Sequence, residues 1–284
     1  MAKIKSKLKD LQRQGEIVLK ERGIENYRND VFCLLNKHFG ATRADILLQG
    51  EREFEEETVL DYMHDLQKRG DRVPLQHLLG SWEFMGLPFI VSPDVLIPRS
   101  ETEWLVEYVL NKYADQPIKV LDLCTGSGCI GIALKKLLPQ AQVTLVDISA
   151  LALEVAKKNA EQNETEVTIE KWDILQGIPF FLEKEPFDVI LSNPPYIKSE
   201  ELKDLQPEVQ KEPALALDGG ADGLLYYHSL AKVWSGLLKD GGELIVEAGE
   251  DTAAGVQEIF ANHLKNAALH SDLADLPRYI TATK

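Results

Sequence analysis

The sequence predicts a doubly wound α/β domain on a mostly parallel seven-stranded sheet. A small N-terminal helical bundle precedes it, joined through a β-hairpin. Three observations carry this prediction. From Ile118 onward, short apolar runs alternate with segments of helical period, the pattern of βα units in a parallel sheet. Residues 1–79 show helical periodicity without a strand signal. Between them, Trp82-Glu83-Phe84 and Leu87-Pro88-Phe89-Ile90-Val91 flank Met85-Gly86 and read as a hairpin. The expected boundaries are 1–80 for the helical domain, 81–97 for the hairpin linker and 98–284 for the α/β domain.

Each element has a local reason. Lys7–Arg22 places Leu8, Leu11, Ile17 and Leu19 on a charged background, and Gly23 stops it. Asn26–Phe39 carries Val31, Phe32, Leu34, Leu35 and Phe39, followed by Gly40. Thr42-Arg43-Ala44-Asp45 reads as a capping box opening a short helix. Thr58–Arg69 is a helix closed by Gly70, and Pro74–Gly80 has proline at its start and glycine at its end. Thr102 to about Tyr113 is helical. The strands expected in the α/β domain are 118–123, 142–146, 167–171, 187–191, 243–246, 267–270 and 279–283. The helices between them are 130–138, 150–163, 224–238 and 252–264.

With 44% hydrophobic and 27% charged residues, the composition is that of a globular protein. No apolar run approaches the roughly 20 residues of a membrane span. The N-terminal Met-Ala-Lys-Ile-Lys-Ser-Lys has the charge of a signal peptide without its apolar core, so a cytoplasmic location is expected. Cys33, Cys124 and Cys129 suit a reducing compartment and match no zinc spacing. His64 and His77 lack partner ligands, and no metal site is expected. The net charge of −15 opposes phosphate backbones and makes nucleic acid an unfavourable partner.

Two motifs carry chemistry. Phe187–Leu191 is a buried strand, and Ser192-Asn193-Pro194-Pro195-Tyr196 ends it, since proline cannot donate to a sheet ladder. Asn-Pro alone opens an ordinary turn. Here it also fixes a side-chain amide and stiff backbone carbonyls at a strand's carboxyl end, with an aromatic ring three residues on. Upstream, Asp122-Leu123-Cys124-Thr125-Gly126-Ser127-Gly128-Cys129-Ile130-Gly131 joins a strand to a helix. It lacks the Gly-Lys-Ser/Thr of a phosphate loop but matches Gly-x-Gly-x-x-Gly. Asp147, at the end of the next strand, is placed to accept from ribose hydroxyls. A nicotinamide dinucleotide and S-adenosyl-L-methionine both fit that pattern. Asp122 favours the cationic sulfonium over a pyrophosphate, unless it only bonds the loop's own amides. In a doubly wound sheet, the first and fourth strands flank the switch point where ligands bind, so the glycine loop and Asn193 are expected across one crevice.

These residues resemble class I S-adenosylmethionine-dependent methyltransferases that act on planar nitrogens. The Asn-Pro-Pro-Tyr signature is shared by exocyclic-amine DNA and RNA methyltransferases and by glutamine methyltransferases. Leu96-Ile97-Pro98-Arg99-Ser100-Glu101-Thr102-Glu103 is similar to the Ile-Pro-Arg-Pro-Glu-Thr-Glu block of the HemK-type protein-(glutamine) methyltransferases. So is Pro74-x-Gln76-x-x-Leu79-Gly80 with Phe84-x-Gly86. Ser100 departs from the usual proline. The resemblance covers essentially the whole chain. It implies N5-methylation of the glutamine in the Gly-Gly-Gln loop of bacterial class I peptide chain release factors, with the N-terminal domain helping to hold that substrate. Asn193 and the Pro194 carbonyl would accept the acceptor amide's N–H groups, with Pro195 beside them and Tyr196 packed on the amide plane. Cys124, Thr125, Gly126, Ser127 and Gly128 would hold the methionine part of S-adenosyl-L-methionine, and Asp147 its ribose. Asp173 and Ile174 would contact the adenine, while strand alternation turns Trp172 to the opposite face. The alternatives are methylation of RNA or DNA amines, and a non-catalytic S-adenosylmethionine-binding adaptor.

Overall fold

In the computed structural model, which describes residues 5–114, 116–183, 186–272 and 274–284, the backbone contacts divide the chain into two units. One runs up to Gly80 and includes Pro207–Lys211. The other comprises Ser81–Gln206 and Glu212–Lys284.

The first unit is helical because its apolar residues recur at three and four positions. Helices α1 (Leu8–Glu21), α2 (Tyr27–Phe39), α3 (Arg43–Leu48), α4 (Glu56–Gly70) and α5 (Leu75–Leu79) enclose a core of Leu8, Leu11, Leu19, Val31, Leu34, Leu35, Tyr62 and Leu66. The Thr42 hydroxyl accepts from the Asp45 amide at 3.1 Å, and the Thr42 amide donates to the Asp45 carboxylate at 2.9 Å. That is the reciprocal box read from sequence. A short antiparallel pair, β1 (Lys5–Lys7) and β2 (Glu53–Glu55), had no sequence signal because each strand is only three residues long. Pro207–Lys211 belongs to this unit: Glu208 accepts from Arg69 (2.9 Å) and Arg72 (3.2 Å), while Arg69 also donates to buried Asp30.

The second unit begins with the hairpin β3 (Ser81–Phe84) and β4 (Leu87–Ile90). Met85 and Gly86 both have positive φ, at 53° and 71°, the twist that closes a two-residue hairpin. This stretch was expected to be a linker. It is instead part of the unit: Phe84 and Phe89 are fully buried in one core with Leu105, Val106, Ile132 and Ala156. Two large apolar rings on one face of a short hairpin need such a surface.

A seven-stranded sheet follows. Its strands are β5 (Lys119–Leu123), β6 (Gln142–Asp147), β7 (Thr168–Lys171), β8 (Phe187–Ser192), β9 (Leu238–Glu247), β10 (Lys265–Ser271) and β11 (Pro277–Thr283). Their order is β10-β11-β9-β8-β5-β6-β7, with β11 antiparallel to both neighbours and the other pairs parallel. The helices are α6 (Glu103–Tyr113), α7 (Cys129–Leu137), α8 (Ala150–Gln162), α9 (Leu225–Lys232) and α10 (Ala253–Ala261). Two apolar cores lie on the sheet, one holding residues of α6, α7 and α8, the other residues of α9 and α10. The helix expected over 224–238 ends at Lys232. A 3-10 turn at Trp234–Leu237 takes over, and β9 starts at Leu238, five residues before the strand expected from 243.

The first strand of the doubly wound domain, β5, therefore lies between β6 and the fourth strand, β8. The switch point is between β5 and β8, as the motifs require. There the Ser192 hydroxyl donates to the Leu123 carbonyl at 2.7 Å, tying the two strand ends together.

Candidate active site

A cleft opens at the carboxyl ends of β5, β6, β7 and β8. Cys124, Thr125, Gly126 and Ser127 line it from the glycine loop. Asp147 ends β6, Trp172, Asp173 and Ile174 follow β7, and Asn193 and Pro195 follow β8. The sequence-predicted residues thus share one cleft, with four exceptions that do not line it: Asp122, Gly128, Pro194 and Tyr196.

The loop is built by geometry that only certain residues permit. Gly128 sits at φ +81°, and a Cβ there would lie 2.6 Å from Ile132 and 3.1 Å from Ala156. A Cβ on Gly131 would lie 2.2 Å from Leu145, so this glycine lets α7 approach the sheet. Asp122 is fully buried. One of its oxygens accepts from the Thr125 hydroxyl at 2.6 Å and the Gly131 amide at 3.0 Å. Its other oxygen has no hydrogen-bond partner among the described residues, and burial pushes the carboxyl up to about 7. Asp122 thus takes the loop-bonding role, and the cation preference it was expected to supply falls to the cleft wall itself. Asn159, buried and missed by sequence reading, bonds the Ser127 carbonyl (2.9 Å) and both backbone groups of Ile90 (2.6 and 3.1 Å). It pins the loop to the hairpin. An asparagine in an amphipathic helix gives no local hint of that role.

Asp147 accepts from the Gly126 amide at 2.8 Å and the Ser149 amide at 2.9 Å, one on each oxygen. Burial raises its carboxyl above the usual range against these donors. Each oxygen keeps a lone pair for a further donor. Asp173 accepts from the Leu175 amide at 2.9 Å and caps a short 3-10 turn, Ile174–Gln176. Trp172, just past the end of β7 at Lys171, meets the sequence expectation in part: it packs half-buried against the core that holds residues of α9 and α10, yet it also lines the cleft, and its indole N–H donates to the Gly177 carbonyl at 2.8 Å. Burial pushes the Cys124 thiol above its ordinary range and Cys129 up to about 12, so neither is a thiolate nucleophile at neutral pH.

The Ile97–Glu103 block, whose roles were open, frames the other side. The Ile97 amide donates to buried Glu212 at 2.8 Å, and Arg99 pairs with the same carboxylate. Glu103 accepts from the Met85 amide at 2.6 Å, anchoring the hairpin turn. Thr102 receives a hydrogen bond from the Asn193 amide nitrogen at 3.1 Å and donates to Glu247 at 2.5 Å. The Tyr196 hydroxyl donates to the second Glu247 oxygen at 3.4 Å. Glu247 is 3% exposed, and its burial lifts the carboxyl to about 7. Gly219 and Gly223 hold the Tyr196 backbone, each so close that a Cβ would fall within 2.7 Å of it.

Asp94, Asp147 and Asp173 line the cleft, and Arg99 spends its charge on Glu212. A pyrophosphate would find no unpaired cation there. A ligand with an ammonium, a sulfonium, a ribose and an adenine would find carboxylates, glycine-loop amides and an indole.

Comparison with known proteins agrees. Residues 10–80 match the PrmC N-terminal domain family, and residues 100–221 match the Methyltransferase small domain family. A protein from Geobacter sulfurreducens named release factor glutamine methyltransferase is 40% identical over 244 residues, 86% of this chain and 84% of that one. This chain belongs to the release factor glutamine methyltransferase family. A second relative of that name, from Clostridium acetobutylicum, is 36% identical and covers 98% of this chain and 99% of its own. Among solved structures, a methyltransferase from Pyrococcus furiosus superposes with a TM-score of 0.52 at 17% identity, covering 71% of this chain and 90% of that one. At that identity the likeness shows the fold alone. Among the described residues, no helix is long and apolar enough to cross a membrane, and no group of His, Cys, Asp or Glu could hold a metal ion.

Proposed function

We propose that this protein methylates the side-chain amide nitrogen of a glutamine, in the Gly-Gly-Gln loop of bacterial class I peptide chain release factors, with S-adenosyl-L-methionine as donor, in the cytoplasm. The observation that carries it is the position of Asn193. It closes β8 beside the β5 glycine loop, in one cleft, in a chain of this family.

An amide nitrogen is a poor nucleophile because its lone pair is delocalised into the carbonyl. The site has to orient it and stabilise the positive charge it gains. The Asn193 side-chain oxygen and the Pro194 carbonyl accept the two N–H groups of the acceptor amide, aligning the nitrogen with the donor methyl. Tyr196 packs beside that plane. When bound, S-adenosylmethionine would supply an electrophilic methyl on its sulfonium, with the neutral thioether as leaving group. The methylated amide is then acidic enough to lose its proton without a strong base. Asp147 binds the ribose hydroxyls, Asp173 the adenine amine, Ile174 and Trp172 the adenine faces, and the Cys124–Gly128 turn the methionine end. Asp122 acts by holding that turn.

The test is methyl transfer from labelled S-adenosylmethionine to unmethylated release factor, with its Gln→Ala variant and bulk RNA alongside. Label that requires the glutamine is the expected result. Label on RNA and none on the release factor would replace this reading with the nucleic-acid alternative. Tight cofactor binding with no transfer to either would leave the adaptor.

A further inference from the structure

The three-residue chain Asn193–Thr102–Glu247 determines which end of the Asn193 amide faces the acceptor. Thr102 has one hydroxyl proton and gives it to one oxygen of Glu247, whose other oxygen accepts from the Tyr196 hydroxyl. The Thr102 oxygen must then accept, and its donor is the Asn193 amide nitrogen at 3.1 Å. With the nitrogen committed, the Asn193 oxygen is left for the cleft. Reversed, the amide would offer N–H to an acceptor nitrogen that itself carries two N–H groups, and the two would repel.

Two features set Thr102 apart from an ordinary helix-start threonine. It stands at the first residue before α6, where a hydroxyl normally caps the helix, yet it makes no cap hydrogen bond and has helical backbone angles. Its hydroxyl is directed to Glu247, across 145 residues of sequence. Glu247 in turn lies at the carboxyl end of β9, next to β8 in the sheet. Its two oxygens accept from different hydroxyls, those of Thr102 and Tyr196.

We infer that Thr102, on the cleft wall, and Glu247, behind it, are positioning residues for methyl transfer: they fix the Asn193 amide with its oxygen toward the acceptor. This rests on the reading that Asn193 accepts from the acceptor amide.

The test uses Thr102→Val, which keeps the shape and removes the hydroxyl, and Thr102→Ser, which keeps the hydroxyl. Thr102→Val should lower kcat for release-factor methylation about 10- to 100-fold, the worth of one oriented hydrogen bond. The cofactor Kd should stay within about 3-fold of wild type. Thr102→Ser should restore most of kcat. The Asn193 side-chain NH2 resonance, assigned by its loss in Asn193→Ala, should move in Thr102→Val and stay in place in Thr102→Ser. Wild-type kcat in Thr102→Val, or a Thr102→Ser variant as slow as Thr102→Val, overturns the inference. So does a resonance that does not move. If wild-type enzyme transfers no methyl group, the proposed function has failed. The resonance still decides the orientation of the amide.

Discussion

The two sides of the cleft are built on different principles. The side proposed to hold the cofactor is local: the glycine loop, Asp147 and Asp173 each stand at the end of the strand that presents them, and their partners lie mostly within 25 residues. The side proposed to hold the acceptor amide is assembled from distance. Thr102, Asn193 and Glu247 come from the start of a helix and the ends of two strands, and Glu212 secures the Ile97–Arg99 segment from more than 100 residues away. Strand–loop–helix geometry suffices to hold a nucleotide-like ligand. Orienting a weak amide nucleophile takes a buried polar network whose every member is satisfied. Changes on one side should therefore leave the other largely intact.

The largest separation is expected from Asn193→Ala. Single-turnover transfer should fall at least about 10²–10³-fold, as for loss of a group that stabilises developing charge. Calorimetric cofactor affinity should stay within a few fold. A parallel loss of both would mean Asn193 holds the fold of the cleft and the division is wrong. Asp147→Ala should do the reverse. Losing charged hydrogen bonds of about 1.5–3 kcal/mol should weaken cofactor binding about 10- to 100-fold, while kcat at saturating cofactor recovers.

Gly128→Ala sharpens the comparison on the stability axis. Its φ of +81° and the approach of Ile132 should cost about 1–3 kcal/mol, read by urea unfolding. Cofactor affinity should drop with it, because loop and α7 share that contact.

The smallest effect is on the pH dependence of stability. Burial raises the folded-state carboxyls of Asp122 and Glu247 from ordinary values of 3.8 and 4.5 to about 7. Between those limits the folded chain holds protons that the unfolded chain has released, so stability falls as pH rises through this window. Unfolding midpoints should be lower at pH 8 than at pH 5.5, and Asp122→Asn should flatten part of that slope. An unchanged slope in the variant would show that Asp122 is ionised throughout.

The same division explains what could be read from sequence. The alternation of strands and helices, the Thr42–Asp45 box and the glycine loop were legible because each is decided within a few residues. So was the meeting of the loop with Asn193, since strand order in a doubly wound sheet follows from topology. Trp172 was read only in part, because alternation was carried one residue past the end of β7: it packs on the core and lines the cleft as well. The hairpin was taken for a linker because its two phenylalanines do not announce what they pack on. Thr102, Asn159 and Glu247 were missed because each looks ordinary locally and acquires its role only when distant residues close around it. The block from Ile97 to Glu103 was visible as a pattern, but its chemistry lies in partners at 212 and 247.

The most direct measurement is a crystal structure of the enzyme with S-adenosylhomocysteine and a release factor bearing the Gly-Gly-Gln loop. The account predicts the glutamine amide nitrogen at hydrogen-bond distance, roughly 2.7–3.2 Å, from both the Asn193 side-chain oxygen and the Pro194 carbonyl. The Asn193 nitrogen should still be on Thr102. A glutamine bound away from Asn193, or facing its nitrogen, would contradict it.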